Sequence, residues 1–173
     1  MTIHTSDPFA TPEHARSPIR RLRGRMPATV TLWTAYGADG RPAGLTVSSA
    51  IVADGEPGAI LGLIDEESEL YGALIASATV AIAVLRDGDG QLADRFAGLL
   101  PAPGGLFAAG RWERTAYGPV RSGTQSWAGC RLGTTTPVGY ARLVQATVET
   151  IHLEDAPVPP LVHHRGRYVR ISE

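Results

Sequence analysis

Hydrophobic and polar residues alternate over several short stretches of this chain, which is the pattern of β-strands with one buried face. Residues 28–36 (ATVTLWTAY) alternate and are rich in β-branched side chains. The turn sequence at residues 38–41 separates them from a predicted partner strand at residues 44–52 (GLTVSSAIV). Residues 58–64 and 79–85 are nearly unbroken apolar runs of strand length, and we expect both to be buried on two faces.

Three segments have helical spacing instead. Residues 17–26 begin with a serine and a proline, which suit the cap and first position of a helix. A second helix is predicted from Asp65, with glutamates in its first turn, where the helix dipole favours acidic side chains. A third is predicted over residues 91–97, which are followed by a glycine at a C-cap position.

The second half of the chain predicts more strands. Residues 126–132, 138–153 and 167–171 have strand character, whereas residues 99–125 are rich in loop-forming residues and contain little predicted strand. A loop of that length in a small domain often contributes to a binding site.

Short strands with a few small helices predict a single β-barrel domain over residues 16–173, preceded by a flexible arm at residues 1–15. Strands and helices do not alternate regularly, which argues against a doubly wound parallel sheet.

Composition supports a globular domain with many turns. The chain is 43% hydrophobic and 19% charged, with 20 glycines and 13 prolines among 173 residues. No apolar run reaches the length of a membrane helix, and the N-terminal residues do not have the pattern of a signal peptide. Cytoplasmic location is therefore the expectation.

Charge and residue usage exclude several kinds of chemistry. The formal net charge is −1, which argues against nucleic acid or an anionic membrane as a partner. All 16 basic residues are arginine, so no lysine is available for a Schiff base or a phosphate-binding P-loop. The single cysteine, Cys130, excludes an internal disulfide and a multi-cysteine metal cluster.

The sequence also lacks the common catalytic motifs. No G-x-G-x-x-G follows a strand, so a Rossmann dinucleotide site is not expected, and neither G-x-S-x-G nor H-E-x-x-H is present. His163 and His164 are adjacent, and neighbouring residues of a strand point to opposite faces, so no metal site is predicted from them.

Three hydroxyl side chains lie close together near the end of the second predicted strand, in Thr46, Ser48 and Ser49. Such hydroxyls can bond the polar edge of a planar ring, or a phosphate, without adding charge. On these residues alone, a strand with ordinary surface hydroxyls is the simpler interpretation.

The order of segments along the chain carries more information. GLTVSS, GAILGLID, ELYGALIAS, TVAIAVL, LADRFAG and PPLVHHRGRYVRI follow one another in an order that resembles the flavin reductase family of the FMN-binding split barrel. Residues 20–34 also resemble that family's first helix and strand, and the similarity covers residues 18–171. Members of this family are small reductases that supply reduced flavin to two-component monooxygenases.

The resemblance implies a homodimeric, six-stranded split barrel that binds FMN or FAD near the subunit interface. It also implies NADH or NADPH as the reductant and a flavin-dependent monooxygenase as the partner. By the same resemblance the residues facing the isoalloxazine and ribityl chain are Thr46, Val47, Ser48 and Ser49. Those facing the ribityl phosphate include Leu63, Ile64, Asp65 and Ser68, and those near the nicotinamide are His164, Arg165, Arg167 and Tyr168.

One departure from the family concerns the phosphate turn. The family often has Asp-Arg-Ser-Ser-Arg-Thr where this chain has DEESEL at residues 65–70, so Glu66, Glu67 and Glu69 would surround the phosphate. We expect Arg95, Arg165 or Arg167 to compensate for this negative charge; otherwise the flavin binds weakly, as a substrate.

Two further departures concern single side chains. Ala83 stands where the family has an asparagine, and the family's Gly-Asp-His before the late strand is matched to residues 133–135 (GTT). The match puts Thr135 in place of a histidine that is linked to nicotinamide binding.

Two other functions stay open at this point. The altered turn and the missing histidine also fit a non-catalytic barrel that binds flavin or another flat ligand, such as a haem or an antibiotic intermediate. A structural dimer without any ligand is the third possibility. Bleaching of bound flavin by NADH distinguishes a reductase from a non-catalytic barrel. Titration with FMN distinguishes both of these from a structural dimer.

Overall fold

The computed structural model describes residue 15 and residues 17–123, 126–156 and 158–171. The arm predicted at residues 1–15 lies outside this part of the chain except for Ala15 and stays a prediction. The described residues contain three helices: α1 (Pro18–Arg25), α2 (Glu69–Ser77) and α3 (Gly90–Phe96). None of these helices is long and apolar enough to cross a lipid bilayer.

The architecture is mainly β, as predicted. Among the described residues the strands are, in chain order, β1 (Ala28–Thr29), β2 (Thr31–Tyr36), β3 (Pro42–Val47), β4 (Ile51–Ala53), β5 (Ala59–Ile64), β6 (Thr79–Val84), β7 (Trp112–Arg114), β8 (Pro119–Arg121), β9 (Trp127–Val138), β10 (Ala141–His152), β11 (Val162–His164) and β12 (Arg167–Val169).

One sheet of seven antiparallel strands forms the body of the fold, in the order β3-β2-β6-β9-β10-β5-β4. A three-stranded sheet, β1-β11-β12, and a two-stranded sheet, β7-β8, complete the structure. The two outer strands of the large sheet, β3 and β4, are consecutive in the chain and are joined by residues 48–50. So short a connection brings the two sheet edges close together.

The prediction of a six-stranded barrel is wrong in one respect, because the sheets that the structure describes do not close into a barrel. Across the described residues the backbone ladder runs from β3 to β4 and is not completed between these two edges. The two sides of the opening are linked instead by the Ser49 side chain, which bonds both backbone groups of Leu63.

Two predicted strands are each divided in the structure. Residues 28–36 break at Val30, whose N–H donates to the carbonyl of Leu161 while its own carbonyl accepts from Leu85, so β1 and β2 belong to different sheets. Residues 44–52 break after Val47, and Ile51–Ala53 pairs with β5 at the opposite edge. A periodic sequence does not show where a chain passes from one sheet edge to another.

The second half of the chain contains more strand than predicted. Residues 133–137 lie inside the long strand β9, and the hairpin turn to β10 falls at Gly139, which has a positive φ of 59°. β7 and β8 pair within the predicted loop region. The predicted final strand, 167–171, ends at Val169 and pairs with β11 across a tight turn at Arg165 and Gly166.

The main core lies between the large sheet and α2, around the fully buried Trp33. The Trp33 indole N–H donates to the hydroxyl of Thr31, 3.0 Å away. The ring covers Gly62 of β5, where an added Cβ would stand 2.8 Å from the indole. Glycine at this position therefore sets how closely β5 approaches β2. A smaller core cluster surrounds Phe96 of α3.

Candidate functional site

Ser49 joins two segments that the sequence nominated separately. Its hydroxyl oxygen accepts a hydrogen bond from the N–H of Leu63 at 2.9 Å and donates to the carbonyl of the same residue at 3.3 Å. The end of β3 therefore lies against the end of β5. We call residues 48–49 together with residues 63–68 the seam.

The seam is exposed on one side and anchored in the core on the other. Ser48, Ser49 and Asp65 are exposed, and Leu63 presents an apolar side chain that is 42% exposed. Val47 and Ile64, by contrast, are buried in the main core. These two residues fix the backbone on which the exposed hydroxyls are carried.

Thr46 does not share this exposed surface. Its hydroxyl donates to the carbonyl of Ala93 in α3 at 2.7 Å. The side chain thus fastens β3 to α3, and its hydrogen is already used inside the protein. The prediction that Thr46 contacts a flavin is untested, but the geometry assigns its hydroxyl an internal partner.

The acidic segment forms a tight turn before α2. Glu66 and Glu67 precede the helix, contrary to the prediction that they lie in its first turn, because Ser68 is the N-cap. The Asp65 carboxylate accepts the N–H of Glu67 at 3.0 Å, and the Ser68 hydroxyl accepts the N–H of Tyr71 at 3.2 Å. Several backbone donors of the turn are therefore satisfied internally.

The C-terminal residues predicted for the site lie on another part of the fold. The hydroxyl of Tyr168 donates to the Asp94 carboxylate in α3 at 2.6 Å, and its ring covers Gly90. The N–H of Arg165 donates to the carbonyl of Gly24, in the last turn of α1. The hairpin β11–β12 thus packs on α1 and α3.

α3 lies between β3 and this hairpin. It contacts Thr46 through Ala93 and Tyr168 through Asp94, which follows Ala93 directly. Arg95 belongs to the same helix and is partly buried. Arg165 and Arg167 are exposed, and His164 is partly buried, on the hairpin.

Arg142 is the cation that the structure places beside the acidic turn, and sequence analysis missed it. It lies near the start of β10, paired directly with Ile64 at the end of β5. Its Nη1 is 3.7 Å from Oε2 of Glu66, and its Nη2 donates to the hydroxyl of Thr135 at 3.2 Å. The pairing of β10 with β5, two strands far apart in the chain, was the missing information.

Thr135, which was matched to the family's histidine, lies within a strand. Residues 133–135 lie in the middle of β9, whereas the residues that directly precede the late strand β10 are Gly139 and Tyr140. Thr135 has a structural contact of its own, since its hydroxyl is 3.2 Å from that of Tyr71 in α2. It also holds Arg142, so it belongs to the surroundings of the acidic turn.

Two buried groups have shifted pKa values. Burial, together with the adjacent Asp94 carboxylate, raises the pKa of Tyr168, so the phenol stays protonated. Burial raises the pKa of the Cys130 thiol to about 12, with a smaller contribution from the charge of Glu149. Cys130 is fully buried in the core and has the properties of an inert thiol.

No metal centre is found within the described ranges. No three or more His, Cys, Asp or Glu side chains there converge to hold an ion. His163 instead packs edge-on against Tyr168, with ring centroids 5.8 Å apart.

Comparison with known proteins identifies the family. The model of the flavin reductase like domain matches residues 23–172. The chain belongs to the flavin reductase family. This confirms the resemblance drawn from the order of its segments.

Individual flavin reductases resemble the chain over most of its length. It is 33% identical to an NADH:FMN oxidoreductase of Rhodococcus qingshengii over 84% of the chain and 77% of that protein. It is 27% identical to the reductase component of an FADH2-dependent resorcinol hydroxylase of Rhizobium sp., covering 93% of the chain and 90% of that protein. The solved NADH:FAD oxidoreductase SgcE6 of Streptomyces globisporus C-1027 has the same fold, with a TM-score of 0.79, 24% identity, and coverage of 90% and 92%.

The seam and its surroundings combine apolar, hydroxyl and cationic groups. Leu63 supplies an apolar surface, Ser48 and Ser49 supply hydroxyls, and Arg142 supplies positive charge beside the turn. The Nε of Arg142 is buried and has no hydrogen-bond partner in the described part of the chain. A planar ring with a polar edge and an anionic tail matches this combination.

Proposed function

We propose that this protein is an NADH-dependent flavin reductase, with FMN as the flavin bound along the seam. The activity is supported by membership of the flavin reductase family and by the 33% identical NADH:FMN oxidoreductase. The site is supported by one structural observation, the direct contact of Ser49 with Leu63. That contact joins two separately nominated segments into one exposed surface.

Bound flavin would supply the hydride acceptor, at N5, and NADH the hydride, so that NADH, oxidised flavin and one proton would give NAD⁺ and reduced flavin. The protein contributes position and electrostatics. Leu63 offers a contact for the ring face, and the hydroxyl of Ser48 and the backbone groups around Ser49 can bond its polar edge. Arg142 offsets the charge of the phosphate.

An NADH oxidation assay tests the activity. Purified protein, NADH and excess FMN are mixed in air, and the near-ultraviolet absorbance of NADH is followed against a mixture without protein. We expect the protein to accelerate NADH loss, and FAD, riboflavin and NADPH define its preferences. No rate above the free-flavin background with any of these pairs would overturn the proposal and favour a non-catalytic flavin-binding protein.

We propose further that reduced flavin leaves the protein and serves a flavin-dependent monooxygenase. The similarity to the reductase component of a resorcinol hydroxylase supports this partner. The acidic residues of the turn also favour a flavin that dissociates, because carboxylates repel its phosphate. Gel filtration after mixing with FMN should separate the colour from the protein; co-elution of one flavin per chain would contradict release. Since NADH is the reductant, we place this activity in the cytoplasm.

A homodimer is the assembly that we propose. Val52, on the edge strand β4, is 77% exposed, and Ile151 of β10 is 62% exposed; both line one surface groove with Val148. Clustered exposed apolar side chains of this kind mark interaction surfaces. Light scattering during gel filtration should give twice the chain mass, and Val52→Asp should halve it. A monomeric wild-type protein would exclude the dimer.

A further inference from the structure

Arg142 has a position that the fold determines closely. It pairs with Ile64, the last residue of β5, and therefore stands where the chain leaves the sheet and enters the acidic turn. Its neighbour two positions along β10, Val144, is fully buried in the main core. Because residues two apart on a strand share a face, Arg142 lies at the rim of the core, and its side chain is 25% exposed.

Side chains from two elements hold the guanidinium in place. Thr135 of β9 accepts a hydrogen bond from Nη2 at 3.2 Å. The ring of Tyr71, in α2, lies 6.0 Å from the guanidinium carbon, and the Tyr71 hydroxyl is bonded to Thr135. The guanidinium is thus oriented before any ligand arrives, which reduces the entropy lost on binding.

The present anionic partner of Arg142 is a weak one. Nη1 and Oε2 of Glu66 are 3.7 Å apart, beyond hydrogen-bond distance, and the Glu66 side chain is 61% exposed. Nε is buried without a hydrogen-bond partner among the described residues. Guanidinium has five N–H donors in a planar fork. Nε is enclosed by protein, so the donor open to a phosphate is Nη1, whose contact with Glu66 is long.

Three backbone donors of the turn are committed to internal partners. The N–H groups of Glu67, Ser68 and Tyr71 are bonded to Asp65 or Ser68. No ion pair within the described ranges joins Arg95, Arg165 or Arg167 to the turn. Arg142 is therefore the arginine that stands beside the turn where a phosphate would lie.

We propose that Arg142 is the residue that selects phosphorylated flavins, and that Glu66 competes with the flavin phosphate for its guanidinium. The inference rests on the proposed function and adds to it a determinant of substrate choice. Binding of the phosphate replaces the long Arg142–Glu66 contact with a charge-assisted hydrogen bond. The charge of the turn then lowers flavin affinity through Glu66, without preventing binding.

Comparing FMN with riboflavin isolates the phosphate, because the two flavins share every other group. Affinities are measured by quenching of flavin fluorescence, without NADH, for the wild type and for Arg142→Gln, Arg142→Lys and Glu66→Gln. Arg131→Gln is the matched control: Arg131 lies on the neighbouring strand β9 and pairs with Glu149, away from the turn. Thermal melting shows whether each variant is folded.

We expect Arg142→Gln to weaken FMN binding by about tenfold and to leave riboflavin binding unchanged. The FMN affinity of Arg142→Lys should lie between those of Arg142→Gln and the wild type, since lysine keeps the charge but lacks the planar fork of donors. Glu66→Gln, at an exposed position, should tighten FMN binding by about threefold without changing riboflavin binding. The control should match the wild type.

Two results would overturn the proposal. One is an FMN-to-riboflavin affinity ratio that neither Arg142→Gln nor Glu66→Gln changes. The other is a higher KM for NADH in Arg142→Gln, with riboflavin as acceptor and with FMN affinity unchanged, which would assign Arg142 to the nicotinamide nucleotide instead. A wild-type protein that binds neither flavin would reject the proposed function itself and is distinct from both results.

Discussion

The seam and the region around α3 were both nominated as cofactor-binding from the sequence, yet the structure treats their polar groups in opposite ways. At the seam, Ser48 is exposed, Ser49 bonds only the exposed residue Leu63, and Nη1 of Arg142 makes a long, 3.7 Å contact with Glu66. Around α3, the hydroxyls of Thr46 and Tyr168 are bonded to Ala93 and Asp94. The first region can offer bonds to a ligand, whereas the second uses its hydroxyls to hold elements together.

This difference shows that residue type and order along the chain do not distinguish a binding hydroxyl from a structural one. Internal hydrogen bonds to buried partners distinguish the two. A hydroxyl that already bonds a buried partner must break that contact before it can bind a ligand, and the partner is then left unsatisfied. Substitutions in the two regions should therefore affect different quantities, flavin affinity at the seam and the free energy of unfolding around α3.

The largest effect is expected for Tyr168→Phe. Removing the hydroxyl deprives the buried Asp94 carboxylate of a 2.6 Å hydrogen bond and should lower the free energy of unfolding by about 2 kcal/mol. Urea denaturation measures this change, and Tyr140→Phe, at a fully exposed tyrosine, is the control. FMN affinity should stay within about twofold of the wild type. Unchanged stability with lost FMN binding would reverse the roles of the two regions.

Ser49→Ala should give the largest change in flavin affinity among the seam hydroxyls. The variant loses both bonds to Leu63, so the two halves of the seam separate, and FMN affinity should fall by about tenfold. Ser49→Thr keeps a hydroxyl and is expected to retain most of the affinity. Fluorescence titration measures both, and equal FMN affinities for Ser49→Ala and the wild type would remove the seam from the site.

Alkaline pH should destabilise the core rather than the seam. The pKa of Cys130 is raised to about 12 in the folded protein, so the unfolded state releases this proton first. The corresponding stability is complete below the ordinary thiol pKa and is lost as pH rises toward the folded value. We expect the free energy of unfolding to fall by about 1 kcal/mol between about pH 8 and about pH 10. Cys130→Val should flatten this dependence, and an identical slope in the variant would exclude the thiol as its source.

The smallest effect is expected for Thr46→Val. This nearly isosteric change removes the bond to the Ala93 carbonyl and should cost about 1 kcal/mol of stability, with FMN affinity unchanged. Denaturation and FMN titration on the same preparation separate the two effects. If the free energy of FMN binding fell by more than the free energy of unfolding, Thr46 would belong to the binding surface, as the family resemblance implied.

Sequence patterns predicted the elements of this fold better than their arrangement. The strand at residues 59–64 and the helix ending at Ser77 follow from apolar runs and local spacing. The break after Val47 does not, because Ile51–Ala53 pairs with β5 at the far edge of the sheet. Pairing between distant strands is a tertiary property that periodicity does not encode.

The same limit applies to the candidate site. The order of segments correctly identified the family, and Ser49 and Leu63 were both nominated before the structure brought them together. Arg142 was missed because it reaches the acidic turn only through the pairing of β10 with β5. A compensating arginine was expected on α3 or the C-terminal hairpin, whereas the arginine that the structure places beside Glu66 lies on β10.

Hydrogen–deuterium exchange with and without FMN tests the location of the flavin most directly. Amides of residues 48–50 and 63–68 should exchange more slowly when FMN is bound, while those of residues 164–168 should not change. Protection confined to residues 164–168, or no protection in the seam at an FMN concentration that quenches flavin fluorescence, would contradict the account.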